Sequence, residues 1–271
     1  MKISCCVFDL DGTLLTSENK ISEIDIATLR KLSRDGIKII IATGRSDLQI
    51  REYVAALGIA DPVITCNGAQ IINVTTNEVL HRKFLQPEDV KKIIDAANCE
   101  GIDYLFYTPD CVYHSYSSER VKFFLSYNES APSEFAVPIK ESSEYPFDIY
   151  SNVIKILIHD DTERIPEFEE RFNSNKTLTM VSSGHRLIDI MPIGSTKGSG
   201  IKVLSEKLNI PISEIVAFGD SMNDETMLLS AGYSVAMGNA VDDIKKICNF
   251  VTKTNDECGI TYAINHILNE I

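Results

Sequence analysis

Hydrophobic positions along the chain recur in short blocks whose spacing changes twice. Residues 3–10 form a continuous apolar run dense in β-formers, the pattern of a strand covered on both faces in a parallel sheet. Ser22 then opens a helix, with Asp25 three residues later as its capping-box partner, and Gly36 closes it. Residues 37–42 are a second apolar strand, ending at Thr43-Gly44-Arg45. A helix follows to Leu57 with Gly58 as its stop, and residues 62–66 predict a third strand ending at Asn67-Gly68. Strands alternating with helices at this spacing predict a doubly wound, Rossmann-like parallel α/β sheet.

From Gln70 the rhythm turns antiparallel. Residues 70–74 and 79–83 flank Thr75-Thr76-Asn77-Glu78 as a hairpin. Pro87 starts a helix whose first turn carries Glu88 and Asp89, where carboxylates suit the helix dipole. Residues 103–108 and 112–116 read as strands around a Pro109-Asp110 turn. Another strand covers 153–159, and an acidic helix starts at Thr162. Residues 178–182 and 186–190 then pair across Ser183-Gly184-His185. The α/β rhythm resumes near Pro192. Helices over 197–208, 224–231 and 259–268 enclose strands over 215–218 and 233–236. The expected architecture is one α/β domain, residues 1–81 plus 191–271, with an α+β domain, residues 82–190, inserted into it.

Composition narrows the function classes. Hydrophobic residues make up 44% of the 271, enough for full cores. No apolar stretch reaches the ~18 residues of a membrane-spanning helix, and the N-terminus does not read as a secretion signal. The formal net charge of −13 disfavours nucleic acid and anionic membranes as partners. It also makes a phosphate ester an awkward guest unless cations are concentrated locally. Seven cysteines at irregular spacing read as apolar fillers in a reducing cytoplasm. Five histidines show no metal-ligand spacing.

Ligands of open α/β sheets bind at the carboxyl ends of strands, so the polar residues there carry the chemistry. Asp9 and Asp11 stand two apart at the first strand exit, and carboxylates that close repel unless a cation intervenes. Alone, the pair also reads as an acidic turn. The run Gly219-Asp220-Ser221-Met222-Asn223-Asp224 supplies a second acidic cluster at another strand end, which favours a Mg²⁺ site. Thr43-Gly44, at the start of a helix, offers a hydroxyl and backbone N–H groups to an anion, or is an ordinary N-cap. Lys197 starts a helix, where a cation opposes the dipole, so it implies a phosphate or carboxylate partner or else a solvated surface lysine.

The runs Asp9-Leu10-Asp11-Gly12-Thr13-Leu14-Leu15, Ala42-Thr43-Gly44-Arg45, Lys197-Gly198 and Gly219-Asp220-Ser221-Met222-Asn223-Asp224 occur in an order that resembles the haloacid dehalogenase-like phosphatases. Asn67-Gly68-Ala69 and Asp189-Ile190-Met191-Pro192 resemble the Cof-type branch, which carries a large α/β cap. About 150 residues separate Thr43 from Lys197, against the ~30 of a βαβ unit, and the family places its cap in that interval.

The resemblance implies a mechanism. Asp9 attacks phosphorus and becomes an aspartyl-phosphate. Asp11 protonates the leaving oxygen and later deprotonates water. Asp9 and Asp220, with the Asp11 backbone carbonyl, hold Mg²⁺, and Asp224 supports that metal site. Thr43, Gly44 and Lys197 hold the phosphoryl oxygens, and Asn223 touches phosphate. Arg45 and Asn67 line the substrate mouth or are structural polar residues. The implied partner is a small phosphorylated metabolite. Sugar phosphates lead, and pyridoxal phosphate and flavin mononucleotide remain open. Cap contacts are expected near Ser183-Gly184-His185-Arg186, in a monomer or weak oligomer. The same motifs also fit a phosphomutase. A Mg²⁺-dependent phospho-receiver is the non-enzyme alternative, but receivers are shorter and lack the second carboxylate.

Overall fold

A computed structural model describes residues 2–146, 150–160, 164–173, 176–182 and 186–269. The chain divides into two compact units, Met1–His81 with Thr196–Ile271, and Arg82–Ser195. The second boundary lies five residues beyond the expected 191, because the last strand of the inserted unit runs on through Pro192.

The chain begins with strand β1 (Cys5–Phe8), helix α1 (Glu23–Arg34), β2 (Lys38–Ile41), α2 (Arg51–Leu57), β3 (Val63–Thr65), β4 (Gln70–Asn73) and β5 (Glu78–Arg82). Ser22 caps α1, its hydroxyl accepting from the Asp25 backbone N–H at 3.0 Å. Ile26, Leu29 and Leu32 give α1 its buried stripe. Gly58, at φ +64°, ends α2 in the left-handed conformation that glycine adopts without strain. Helix α2 starts later than expected. A short 3₁₀ turn, Asp47–Gln49, capped by Ser46, precedes it, so Thr43-Gly44 does not open the helix.

The second unit contains α3 (Pro87–Glu100), β6 (Asp103–Tyr107), β7 (Val112–His114), α4 (Val121–Ser130), β8 (Ile139–Glu141), β9 (Lys155–His159), α5 (Ile165–Asn173), β10 (Leu178–Ser182) and β11 (Leu187–Pro192). Its six-stranded sheet has the order β10-β11-β9-β6-β7-β8. Val90 and Ile93 of α3, Phe168 of α5, and Phe106, Ile156 and Ile188 of the sheet are part of its core. The hairpin tip Ser183-Gly184-His185 and the helix start expected at Thr162 lie outside the described residues.

The chain then adds α6 (Lys197–Leu208), β12 (Ile215–Gly219), α7 (Glu225–Ser230), β13 (Tyr233–Ala236), α8 (Asp242–Ile247), β14 (Phe250–Val251) and α9 (Gly259–Asn269). The main sheet is parallel, ordered β14-β13-β12-β1-β2. The expected third strand is not part of it. β3 pairs antiparallel with β4 in a separate β3-β4-β5 sheet and meets the main sheet through the single bridge Ala42–Ile64. On its other edge β3 faces β2, where the Thr43 N–H donates to the Ile64 carbonyl at 2.9 Å.

Candidate active site

The register of the main sheet determines what meets at its carboxyl edge. Phe8 pairs with Phe218, and their rings stack 4.7 Å apart. Asp9 and Gly219 therefore leave neighbouring strands side by side, with the Asp9 N–H donating to the Phe218 carbonyl at 3.0 Å. The chain then reverses over Leu10–Leu14 in a wide turn, with Leu14 N–H on the Asp9 carbonyl and Leu15 N–H on that of Leu10. Gly12 makes the reversal possible at φ +81°. It also leaves room: a Cβ there would sit 2.6 Å from Asp220 Oδ2.

Four of the predicted residues converge. Lys197, the first residue of α6, is 1% exposed, and its Nζ lies 2.5 Å from Asp9 Oδ1 and 2.6 Å from Asp224 Oδ1. This resolves its unfavourable position at a helix N-terminus: two buried carboxylates face it. Gly198 permits the approach, since a Cβ there would be 2.2 Å from the Thr226 carbonyl. Asp224 Oδ2 accepts the backbone N–H groups of Asp220 (2.9 Å) and Ser221 (3.0 Å). That carboxylate thus shapes the loop that presents Asp220. Asp220 Oδ1 accepts from the Thr13 hydroxyl at 2.8 Å.

Carboxylate oxygens of Asp9, Asp220 and Asp224 all lie within 4.8 Å of one another. Three oxygen donors this close, with one ammonium among them, fit a hard divalent cation such as Mg²⁺. Asp9 and Asp220 are the ligands best placed for it, because Asp224 already serves Lys197 and two backbone N–H groups. Electrostatics point the same way. Burial, then the charges of Asp224 and Asp220, hold the Asp9 carboxyl well above the usual carboxylate range, against the pull of Lys197. Burial and Asp224 push Asp220 up to about 6. Burial opposes charge on Lys197, but Asp224 and Asp9 outweigh it and hold its pKa above the ordinary lysine value.

The remaining predicted residues sit otherwise. The Asp11 carboxylate is half-exposed and is gripped by Arg45, whose Nε donates to Oδ2 at 2.9 Å and whose second nitrogen pairs with Oδ1. Arg45 also lies over the Tyr53 ring. The Asp11 side chain, expected beside the metal-binding carboxylates, lies outside that cluster and pairs with Arg45 instead, because the reversal at Gly12 turns it toward the Thr43-Gly44-Arg45 segment. Thr43 is buried, and its hydroxyl accepts from the Arg45 N–H at 3.1 Å. Gly44 lies between the two. Asn67 is also buried, and its N–H donates to the Thr43 carbonyl at 3.0 Å. Asn67 therefore seats the Thr43 segment through its backbone. Asn223 accepts from the Ser221 hydroxyl at 2.6 Å. Two contributors escaped the sequence reading. Thr13 lies inside the first motif but signals only a turn there. Asn239, in Met237-Gly238-Asn239-Ala240, donates from Nδ2 to the Gly12 carbonyl at 2.8 Å.

The pattern that defines the haloacid dehalogenase-like hydrolases matches residues 6–264. The phosphatase YwpJ of Bacillus subtilis is 32% identical over 96% of this chain and 98% of its own. The 5-amino-6-(5-phospho-D-ribitylamino)uracil phosphatase YwtE of the same organism is 31% identical over 98% of each chain. A haloacid dehalogenase-like hydrolase from Bacteroides thetaiotaomicron superposes with a TM-score of 0.87 at 29% identity, over 98% of this chain and all of that one.

Proposed function

The chain belongs to the haloacid dehalogenase-like hydrolases and is a phosphatase of that family, and from that premise we propose that it hydrolyses small phosphate esters through an aspartyl-phosphate on Asp9. The observation that carries this reading is the buried cluster at two adjacent strand ends, in which Lys197 bridges Asp9 and Asp224 beside Asp220.

An Asp9 Oδ attacks phosphorus as the bond to the ester oxygen breaks, and a proton from Asp11 goes to that oxygen. Water then attacks the acyl phosphate's phosphorus and gives its proton to Asp11. The products are inorganic phosphate and a restored Asp9 carboxylate. Lys197 supplies positive charge to the phosphoryl oxygens as charge develops on them. Thr43 and the Gly44 N–H form the other side of the phosphate cradle. Asp11 must leave Arg45 to carry the proton, because that arginine occupies both carboxylate oxygens. Bound at Asp9 and Asp220, Mg²⁺ would neutralise charge between nucleophile and phosphate.

Sugar phosphates and related phosphorylated polyols are the proposed substrate class. The phosphorylated ribityl chain named for YwtE supports it. The proposed setting is the cytoplasm, consistent with seven free thiols, and the proposed state is a monomer or weak oligomer. No helix among the described residues is long and apolar enough to cross a membrane. The test is phosphate release across a panel of phosphorylated metabolites with and without Mg²⁺. Wild type should turn over at least one sugar phosphate only with the metal, and folded Asp9→Asn should turn over none. Full activity in that variant would sink the mechanism.

A further inference from the structure

The turn that carries Asp11 is held from outside by two asparagines. Its own hydrogen bonds use the carbonyls of Asp9 and Leu10. Asp11 (φ −78°, ψ 117°) and Gly12 (φ +81°) depart from helical geometry. The Gly12 carbonyl is taken by Asn239 Nδ2 at 2.8 Å. The far end of the Asn239 amide is also fixed, since its Oδ1 accepts the Asn255 N–H at 3.1 Å. Asn255 in turn donates from Nδ2 to the Leu15 carbonyl at 2.8 Å. Two residues beyond Asn239, the Val241 N–H donates to the Asp220 carbonyl at 3.0 Å. One short segment after β13 thus grips both loops of the carboxylate edge. Gly12 is held between Asn239 on one side and Asp220, 2.6 Å from a would-be Cβ, on the other.

We infer that Asn239 is a positioning residue for proton donation: it sets the backbone next to Asp11 and so aims the carboxyl at the departing ester oxygen. The inference rests on the reading of Asp11 as acid and base given above. Once Asp11 has left Arg45, its carboxyl stands on a chain reversal, so its direction then depends on the peptide that follows it. A displacement of about 1 Å in a reacting group is enough to cost about 100-fold. The proton moves from the Asp11 carboxyl to the bridging oxygen as that oxygen's bond to phosphorus breaks and the Asp9 oxygen bonds to phosphorus. A stable nitrophenolate departs with little help, whereas a more basic phenolate needs the proton. Losing Asn239 should therefore penalise esters of basic leaving groups selectively. A merely structural defect would lower all of them together.

The experiment compares kcat/KM for p-nitrophenyl phosphate and phenyl phosphate in wild type, Asn239→Ala, Asn239→Asp and Asp11→Asn, with Mg²⁺ present. Asn239→Asp keeps the shape and the bond from Asn255 but cannot donate to Gly12. Both Asn239 variants should lose about tenfold on phenyl phosphate and less than about threefold on p-nitrophenyl phosphate. Asp11→Asn should show the same selectivity with a loss of about 100-fold or more on phenyl phosphate. If Asn239→Ala fails to fold, Asn239→Asp carries the comparison by itself, because it keeps the bond from the Asn255 N–H and loses only the donor to Gly12. Equal losses on both esters, or none, in the asparagine variants overturn the inference while a selective Asp11→Asn leaves the mechanism standing. An unselective Asp11→Asn overturns both.

Discussion

Replacing Lys197 with methionine removes the one ammonium that two buried carboxylates share. Its Nζ is 2.5 Å from Asp9 and 2.6 Å from Asp224, and the three side chains are 0%, 5% and 0% exposed. At an effective dielectric constant of about 20, charges this close attract by about 6 kcal/mol each, about 13 in total. The several kcal/mol needed to desolvate the ammonium offset part of that. What the variant retains is the worse problem, two facing carboxylates without a counter-charge. The expected loss in metal-free buffer at pH 8 is about 3–5 kcal/mol. For a chain of this size that lowers the melting temperature by roughly 10 °C. The sign of the pH response is fixed as well. Asp9, already held above the usual carboxylate range by burial and its acidic neighbours, loses the one neighbour that lowers it, so the folded state binds more protons than the unfolded one. The penalty must shrink as pH falls from 8 to 5. Adding Asp224→Asn should recover a large part of it, because one of the two charges disappears. The assay is thermal or urea unfolding in EDTA of wild type, Lys197→Met and the double variant at pH 5 and 8. A loss below about 1 kcal/mol at pH 8, or one equal at both pH values, would mean that the carboxylates do not depend on the Lys197 charge. In the activity assay the single variant should lose about 100- to 1,000-fold in kcat, the scale of one missing transition-state donor.

Other consequences of the same geometry can be checked separately. Asp9→Asn removes a charge that burial, Asp224 and Asp220 all disfavour, so metal-free unfolding at pH 7 should show it more stable than wild type although it is inactive. Gly12→Ala forces a φ of +81° on an L-residue and puts its Cβ 2.6 Å from Asp220 Oδ2. Calorimetric Mg²⁺ titration should show at least tenfold weaker binding, with about 1–2 kcal/mol lost in stability. Asp220, held near 6 in the folded chain, keeps its proton there between about pH 4 and 6 where the unfolded chain has released it. Metal-free Asp220→Asn should therefore gain on wild type across that window, by at most about 3 kcal/mol. A flat difference between the two unfolding curves would contradict the burial argument.

The parts of the fold that could be read from sequence share a physical cause: each declares itself locally. The runs that became β1 and β2 are apolar throughout because the sheet is covered on both faces. Lys197–Leu208 carries its own start and stop in Thr196 and Asn209. The elements that escaped are short, or their partners lie far along the chain. Helix α4 buries only Val121 and Phe124, too narrow a stripe to stand out. β14 has two residues. β3 reads as a sheet strand by composition, yet the hairpin that follows draws it into another sheet. In the site, the acidic positions were visible because carboxylates at strand ends are costly and therefore conspicuous. Arg45 on Asp11 and Asn239 on Gly12 were not. Those bonds span 34 and 227 residues, and neither residue type is unusual where it stands.

The charge of the chain remains the point on which sequence and geometry have to agree. A net −13 should repel a phosphate ester, and the site as built adds to the difficulty: with all three carboxylates ionised, Asp9, Asp220 and Asp224 outnumber Lys197 by two. The raised pKa values of Asp9 and Asp220 are the cost of that imbalance. A dication would remove it without help from elsewhere in the protein, which is why the cluster reads as half of a binding site whose other half is metal. Lys197 cannot substitute for the metal, since Asp9 and Asp224 already hold it on either side. On the proposed mechanism its own work begins when phosphate arrives, and only if Mg²⁺ has first relieved those carboxylates. The affinities for metal and phosphate must therefore be coupled, each ion raising the other's, and neither should bind well alone. Calorimetric titration of phosphate into the metal-free and Mg²⁺-loaded chain measures that coupling. Equal phosphate affinity in the two would mean that the excess of carboxylates has no part in the chemistry.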